Sequence, residues 1–186
     1  MMPDVSRLDG MLFDDEPQWL YEQAKDAGKI IIEIGSFVGK STVCLAQGAI
    51  DGKGAKVWSI DPHILLGPGP LAYPRLIDNL NRFNVRQQVE VLVTSSADAI
   101  RFFPETSASF IFIDGAHDYR NVCQDLDLYL TILDHGGIIA VHDCNPTYPG
   151  IMKAVKERIF DVPDAFQEAK IRIGKGSQIA WARKQP

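Results

Sequence analysis

Apolar residues in this chain fall into short unbroken runs that alternate with longer segments of helical spacing. The run Lys29-Ile30-Ile31-Ile32-Glu33-Ile34, bounded by Gly28 and Gly35, predicts a strand buried on both faces, as in a parallel sheet. Further strands are predicted at Lys56 to Asp61, Val89 to Val93, Ser109 to Asp114 and Ile138 to Val141. Helical spacing appears at Val43, Cys44, Leu45, Ala46 and Ala49 after Gly39, and again at Leu76, Ile77, Leu80 and Phe83. Thr94-Ser95-Ser96-Ala97-Asp98 reads as a polar turn capping a short helix that runs to Phe103. A long helix carries the stripe Tyr119, Val122, Leu126, Leu130 and Leu133, and a last one Ile151, Val155 and Ile159. Asp51-Gly52-Lys53-Gly54 and Gly136-Gly137 read as helix stops. Two closing strands are expected near 166–173 and 178–183.

Upstream, Pro17, Trp19, Leu20 and Ala24 predict a helix between Asp14 and Gly28, while residues 1–13 show no periodicity and are expected to form a loosely attached arm. Five strand-helix units followed by two strands describe an α/β chain with one doubly wound, mostly parallel sheet and helices on both faces. The expected organisation is an N-terminal arm and helix over 1–27 and the sheet over 28–186, one domain overall.

Composition narrows the partners. A chain of 186 residues with net charge -5 and no run of basic residues has no electrostatic footprint for nucleic acid or for an anionic membrane. A small-molecule partner fits better, and a homodimer is compatible with the pattern. Three cysteines, Cys44, Cys123 and Cys144, form no CxxC pair and are odd in number, which suits a reducing cytosol. Neither an 18-residue apolar run nor a basic-then-apolar leader is present, so the expected location is cytoplasmic.

The candidate chemistry begins where the first strand turns into a helix, the place where open parallel sheets hold nucleotide-like ligands. A phosphate-binding P-loop needs four residues between its first glycine and Gly-Lys-Ser/Thr, but Gly35 and Gly39-Lys40-Ser41 enclose only Ser36, Phe37 and Val38. A dinucleotide fingerprint needs a glycine where Phe37 stands. What remains is Glu33, Gly35 and Gly39, an acid followed by two spaced glycines. Asp61 then ends the second strand, a little beyond the roughly 20-residue offset at which an acid meets ribose hydroxyls in such folds. Asp114 ends the fourth, within Phe112-Ile113-Asp114-Gly115-Ala116-His117-Asp118-Tyr119, and His142-Asp143-Cys144-Asn145 ends the fifth.

This ordered set over roughly residues 28 to 160 resembles the class I S-adenosylmethionine-dependent methyltransferases, and most nearly the compact macrocin-type and catechol-type O-methyltransferases. The resemblance implies a Rossmann-like, seven-stranded sheet whose last strand inserts antiparallel beside the sixth. It implies S-adenosylmethionine as cofactor, with Glu33, Gly35, Ser36 and Gly39 around the methionine moiety, Asp61 on the ribose hydroxyls, Ser96 and Ala97 at the adenine edge, and Asp114 on the methyl side. Ser96 has a second reading, since a serine there serves as a helix cap in any protein.

In the catechol-type enzymes a divalent cation, held by acids after strands four and five, binds the acceptor oxygens and lowers their pKa. By position those acids are Asp114 and Asp143, and His117 stands where the family has a lysine base. The departure is Cys144, in place of an asparagine ligand. His142 could substitute as an imidazole ligand, or Asn145 could reach in, with Mn²⁺ or Zn²⁺ taking a histidine more readily than Mg²⁺. Two carboxylates there call for either a divalent ion or a protonated histidine. His63 and His135 carry no such signal. Gly67-Pro68-Gly69-Pro70 reads either as a flap over the ligand or as a plain connector. Two further classes stay open: a cofactor-binding domain without chemistry, and a nucleotide enzyme using Lys40.

Overall fold

The computed structural model describes residues 1–13, 15–64, 72–105, 107–173 and 178–186. Its elements run α1 (Glu16–Asp26), β1 (Ile30–Ile34), α2 (Lys40–Asp51), β2 (Val57–Ile60), α3 (Ala72–Arg82), β3 (Val89–Leu92), α4 (Ser96–Ala99), β4 (Ala108–Ile113), α5 (Tyr119–Ile132), β5 (Leu133–Val141), α6 (Pro149–Val155), β6 (Phe166–Ile173) and β7 (Gln178–Lys184). The seven strands form one sheet in the order β3-β2-β1-β4-β5-β7-β6. The first five are parallel, and β7 lies antiparallel between β5 and β6. The expected doubly wound α/β architecture, with its antiparallel last strand, is therefore the one observed.

Alternate residues of each central strand feed two cores. Ile32, Ile34, Ile111, Ile113, Ile139 and Val141 pack with α5 and α6 on one face, while Ile31, Phe110, Phe112, Ile138 and Ala140 pack with α1 and α2 on the other. Truncating a fully buried member such as Ile111 to alanine would cost about 2–5 kcal/mol. Gly48 permits the close contact of α2 with α1, because a Cβ there would lie 2.3 Å from the Tyr21 carbonyl oxygen.

Three sequence expectations need correction. Residues 1–13 are not loosely attached: Val5 and Leu8 are buried in the α1/α2 core, and the Gly10 carbonyl accepts a hydrogen bond from Lys40 Nζ at 3.2 Å. Gly136-Gly137 does not end α5 but lies inside β5, where the pairing with β4 shifts register between Ala108 and Phe110 and Gly136 adopts φ 72. The pair forms an irregularity within a strand, and a glycine stop and a glycine bulge look alike in sequence. On α5 the buried stripe is Val122, Cys123, Asp125, Leu126, Tyr129 and Ile132, so Leu130 is only partly covered and Leu133 already belongs to β5.

Register explains where the chemistry gathers. Ile60 pairs with Ile34, Ile34 with Ile113, and Ile113 with Val141. The residues that follow them, Asp61, Gly35, Asp114 and His142, therefore stand in a row at the carboxyl edge. Backbone bonds carry the ladder one step further, from Gly35 N to Ile60 O (2.9 Å), Asp114 N to Ile34 O (2.8 Å) and His142 N to Ile113 O (2.9 Å).

Candidate active site at the carboxyl edge of the sheet

The turn after β1 is shaped by close approach. A Cβ on Gly35 would lie 2.1 Å from the Asp114 carbonyl oxygen, and Gly35 also has φ 87. Phe37, at φ 47, is in the left-handed region that non-glycine residues rarely adopt, and its N–H donates to Asp61 Oδ2 at 2.8 Å. Gly39, at φ 90, is the residue before α2 and closes the turn with an N–H bond to Ser36 O at 2.7 Å. The second Asp61 oxygen accepts from His63 N at 2.7 Å. Asp61 thus braces the turn as well as ending β2.

Two buried polar atoms under this turn have no partner, Glu33 Oε1 and Ser36 Oγ. The other Glu33 oxygen accepts from Thr42 Oγ1 at 2.6 Å, and burial pushes the Glu33 carboxyl up to about 7. Such orphans are what a bound ammonium or hydroxyl donor would satisfy. Lys40 is directed elsewhere, to the arm carbonyl of Gly10, so it supplies no cation to the turn.

Further along the edge, Ser95 rather than Ser96 caps α4, accepting from Asp98 N at 3.1 Å. Ser96 turns its hydroxyl inward to Asp125, whose carboxyl burial pushes up to about 6, and its carbonyl accepts from Tyr129 OH at 2.9 Å. Ala97 is exposed. His63 packs its ring edge-on against Tyr73 at 5.5 Å, and burial lowers its pKa. His135 lies away from the site, its Nδ1 3.0 Å from Gln185 O. The Gly67 to Pro70 segment, read as flap or connector, lies outside the described residues.

On the other side of Gly35 a charged cluster forms around His142. Its Nε2 is 2.9 Å from Glu16 Oε2, and its Nδ1 is 3.1 Å from Asp114 Oδ1 and 3.4 Å from Asp143 Oδ2. Nδ1 thus faces both aspartates, while Nε2 is bonded to Glu16. His117 Nε2 lies 3.0 Å from Asp143 Oδ2, with its ring tilted over Tyr148 at 4.5 Å. One donor atom each from Asp114, His117 and Asp143 fall within 4.8 Å of one another. Asp143 sits at φ 54.

Cys144 and Asn145 are not part of this cluster. The Cys144 side chain is in the core, where burial pushes its thiol up to about 11. The Asn145 side-chain oxygen accepts from Thr147 N at 2.9 Å and shapes the next turn. Glu16 is the member that sequence reasoning missed. As the first residue of α1 it reads as an ordinary helix-start acid, and no local signal points to a partner 126 residues away.

The sequence profile of a family described as a methyltransferase domain matches residues 32–144, which runs from inside β1 to just past β5. The chain belongs to this methyltransferase family. Rv0187 from MTB, solved with its cofactor bound, superposes with a TM-score of 0.71 at 21% identity, covering 98% of this chain and 85% of that one. The O-methyltransferase TomG from Streptomyces achromogenes, solved in complex with SAM, gives 0.71 at 16% identity, covering 96% and 83%. Uncharacterized protein R132 of Acanthamoeba polyphaga mimivirus is 29% identical over 139 residues. That match takes in 70% of this chain, and the chain spans 59% of the relative's length. Among the described residues no helix is long and apolar enough to cross a membrane.

The electrostatics of this cluster separate its two aspartates. Burial raises the Asp114 carboxyl despite the nearby His142. Burial also opposes the charge on Asp143, but His117 and His142 outweigh it and hold that carboxyl well below the usual range. Burial alone would strip the proton from His142, yet Asp114, Asp143 and Glu16 push its pKa up to about 12. The contact with Asp143 raises His117 against the opposing effect of burial.

Proposed function

We propose that this chain transfers the methyl group of S-adenosylmethionine to a hydroxyl of a small molecule, with the acceptor oxygen bound by a divalent cation. The observation that carries the reading is the convergence of Asp114 and Asp143 on Nδ1 of His142. Donor atoms about 2.1 Å from one ion and at right angles to each other lie about 3.0 Å apart, close to the 3.1 and 3.4 Å separations here. Two carboxylates and an imidazole suit Mn²⁺ or a similar first-row ion better than Mg²⁺. The residues present therefore fit the group, with Asp114, Asp143 and His142 holding it. Such an ion, when bound, acts as a Lewis acid that acidifies the acceptor hydroxyl.

The chain's own residues do the rest. The unpartnered oxygen of Glu33 and the Ser36 hydroxyl face the amino-acid end of the cofactor, and Asp61 accepts from the ribose hydroxyls. Ala97 lies at the adenine edge; Ser96, with its hydroxyl on Asp125, offers only backbone there. His117 is 35% exposed at the side chain and oriented by Asp143, so it can take the acceptor proton. No covalent protein nucleophile is needed, because an in-line displacement at the sulfonium requires alignment and proton removal. The acidic balance of the chain supports a small acceptor over nucleic acid or an anionic membrane.

The test is calorimetry with S-adenosylhomocysteine, then with Mn²⁺ on the complex, followed by turnover on a panel of hydroxylated acceptors. Binding of both ligands and Mn²⁺-dependent formation of S-adenosylhomocysteine are expected. Cofactor binding without turnover on any acceptor, with or without the ion, would leave a binding domain instead.

A further inference from the structure

Glu16 is fully buried, with 0% exposure, yet it lies at the very start of α1, where glutamates ordinarily face water. One of its oxygens, Oε2, accepts from Phe13 N at 2.8 Å and meets His142 Nε2 at 2.9 Å. The other, Oε1, is buried without a partner. An isolated carboxylate in that position is strongly unfavourable, and breaking such a buried pair is usually more damaging than never having built it. Capping α1 does not require this arrangement, since an exposed acid would serve the helix dipole equally well.

What the buried carboxylate does specify is the state of His142. An imidazole that donates Nε2–H to a carboxylate is left with Nδ1 as its ligating atom towards a metal ion, and a hydrogen-bonded carboxylate behind a ligating histidine fixes the tautomer and raises the ring's basicity. Here Nδ1 is the ring atom that faces Asp114 and Asp143, at 3.1 and 3.4 Å, and the ring is held from the side by Phe112, edge-on at 6.0 Å.

We infer that Glu16 is a positioning residue that locks the His142 ring with its proton on Nε2 and its Nδ1 toward the two aspartates, so that helix α1 forms part of the ion site. This rests on the reading under Proposed function. It extends that reading to a segment outside the matched methyltransferase region, since Glu16 precedes residue 32. Because Phe13 N shares the same carboxylate, the arm that Lys40 anchors at Gly10 is tied to the acceptor side as well.

The experiment compares the full chain with Glu16→Gln and Glu16→Ala. Four quantities are measured: Mn²⁺ affinity by calorimetry and by the EPR signal of the free ion, S-adenosylhomocysteine affinity, the melting temperature, and the nitrogen-15 spectrum of the His142 ring. Glu16→Ala is expected to weaken Mn²⁺ binding about 10–100-fold, with S-adenosylhomocysteine affinity unchanged and the Nε2-bound proton signal lost. Glu16→Gln keeps an oxygen acceptor for Nε2–H and should recover part of the loss. Equal Mn²⁺ affinity and an unchanged ring spectrum in Glu16→Ala would overturn the inference. So would a parallel fall in Mn²⁺ affinity, cofactor affinity and melting temperature, which marks a purely structural role. If the parent chain binds no Mn²⁺, the ion reading fails separately. The Glu16 inference is then decided by the ring spectrum alone, supported if the Nε2 proton needs Glu16 and refuted if it does not.

Discussion

Glu33 is fully buried beneath the glycine turn, and its stability effect should be measurable by pH alone. Burial raises its carboxyl from the ordinary 4.5 to about 7, Asp114 and Asp61 push the same way, and hydrogen bonds from Ser41 and Thr42 oppose the rise. A carboxyl that holds its proton more tightly folded than unfolded removes stability as the pH climbs from its unfolded to its folded pKa, and removes no more above that. Here the window runs from 4.5 to about 7. At 1.36 kcal/mol per pH unit the loss is about 3 kcal/mol by pH 8.

Glu33→Gln keeps an oxygen acceptor for Thr42 but cannot ionise. The stability of the variant minus that of the parent should therefore rise by about 3 kcal/mol between pH 4.5 and 8. Urea unfolding at several pH values measures it, and the subtraction cancels the opposite contributions of Asp143 and His142, whose pairing favours their charged forms. A bound ammonium beside Oε1 would reverse the preference, so the parent should bind S-adenosylhomocysteine up to roughly tenfold more tightly per pH unit on approaching 7 from below, and Glu33→Gln should not. A difference that stays flat across this range would show that the carboxylate is not desolvated, and the placement of the ammonium would fall with it.

Asp61→Ala should weaken S-adenosylhomocysteine by about 1.5–3 kcal/mol per lost ribose hydrogen bond, and should also loosen the turn by removing the acceptor of Phe37 N; unchanged calorimetric affinity would refute the ribose assignment. Asp143→Asn should lower methyl transfer on the order of 100-fold or more while leaving cofactor affinity near the parent's, because it removes the charge that orients His117. Since Asp143 raises the His117 pKa, parent activity should be lost as the pH falls through a value above 6.5, and in Asp143→Asn that midpoint should move down; equal midpoints would remove His117 as the base. Cys144→Asn should lower the melting temperature without tightening Mn²⁺ binding.

The parts of the fold that were legible are those in which local pattern and tertiary role coincide. A parallel strand covered on both faces must be apolar throughout, so Ile30 to Ile34 and Ala108 to Ile113 announce themselves. Parallel strands end at one edge, so the acids in the turns that follow them, Asp61, Asp114 and Asp143, share that edge without further information. Features that depend on a distant partner were silent. Val5 and Leu8 are isolated apolar residues with no period, and only α1 and α2 give them a core to join. Ser96 looks available for a ligand until Asp125, which sits 29 residues away on α5, takes its hydroxyl. Glu16 likewise becomes part of the site only through His142.

The expectation for Cys144→Asn follows from one backbone angle. In a regular strand residues two apart share a face, so His142 and Cys144 would point the same way and an asparagine at 144 could stand beside the imidazole. Asp143 at φ 54 breaks the alternation, with Asn145 N closing the turn on Asp143 O at 2.7 Å. His142 consequently packs against Phe112, on the α1 side where Glu16 waits, whereas Cys144 enters the opposite core with Ile151 and Phe166. Cys144 is 2% exposed there, so an asparagine amide would be buried without partners, a cost of about 1–3 kcal/mol for each unsatisfied group. At the proposed ion site, the donor that a catechol-type enzyme takes from the residue after the acid would come instead from the residue before it. Tighter Mn²⁺ binding by Cys144→Asn, with no loss of melting temperature, would show that position 144 does reach the ion and that the left-handed turn at Asp143 does not divide the two faces.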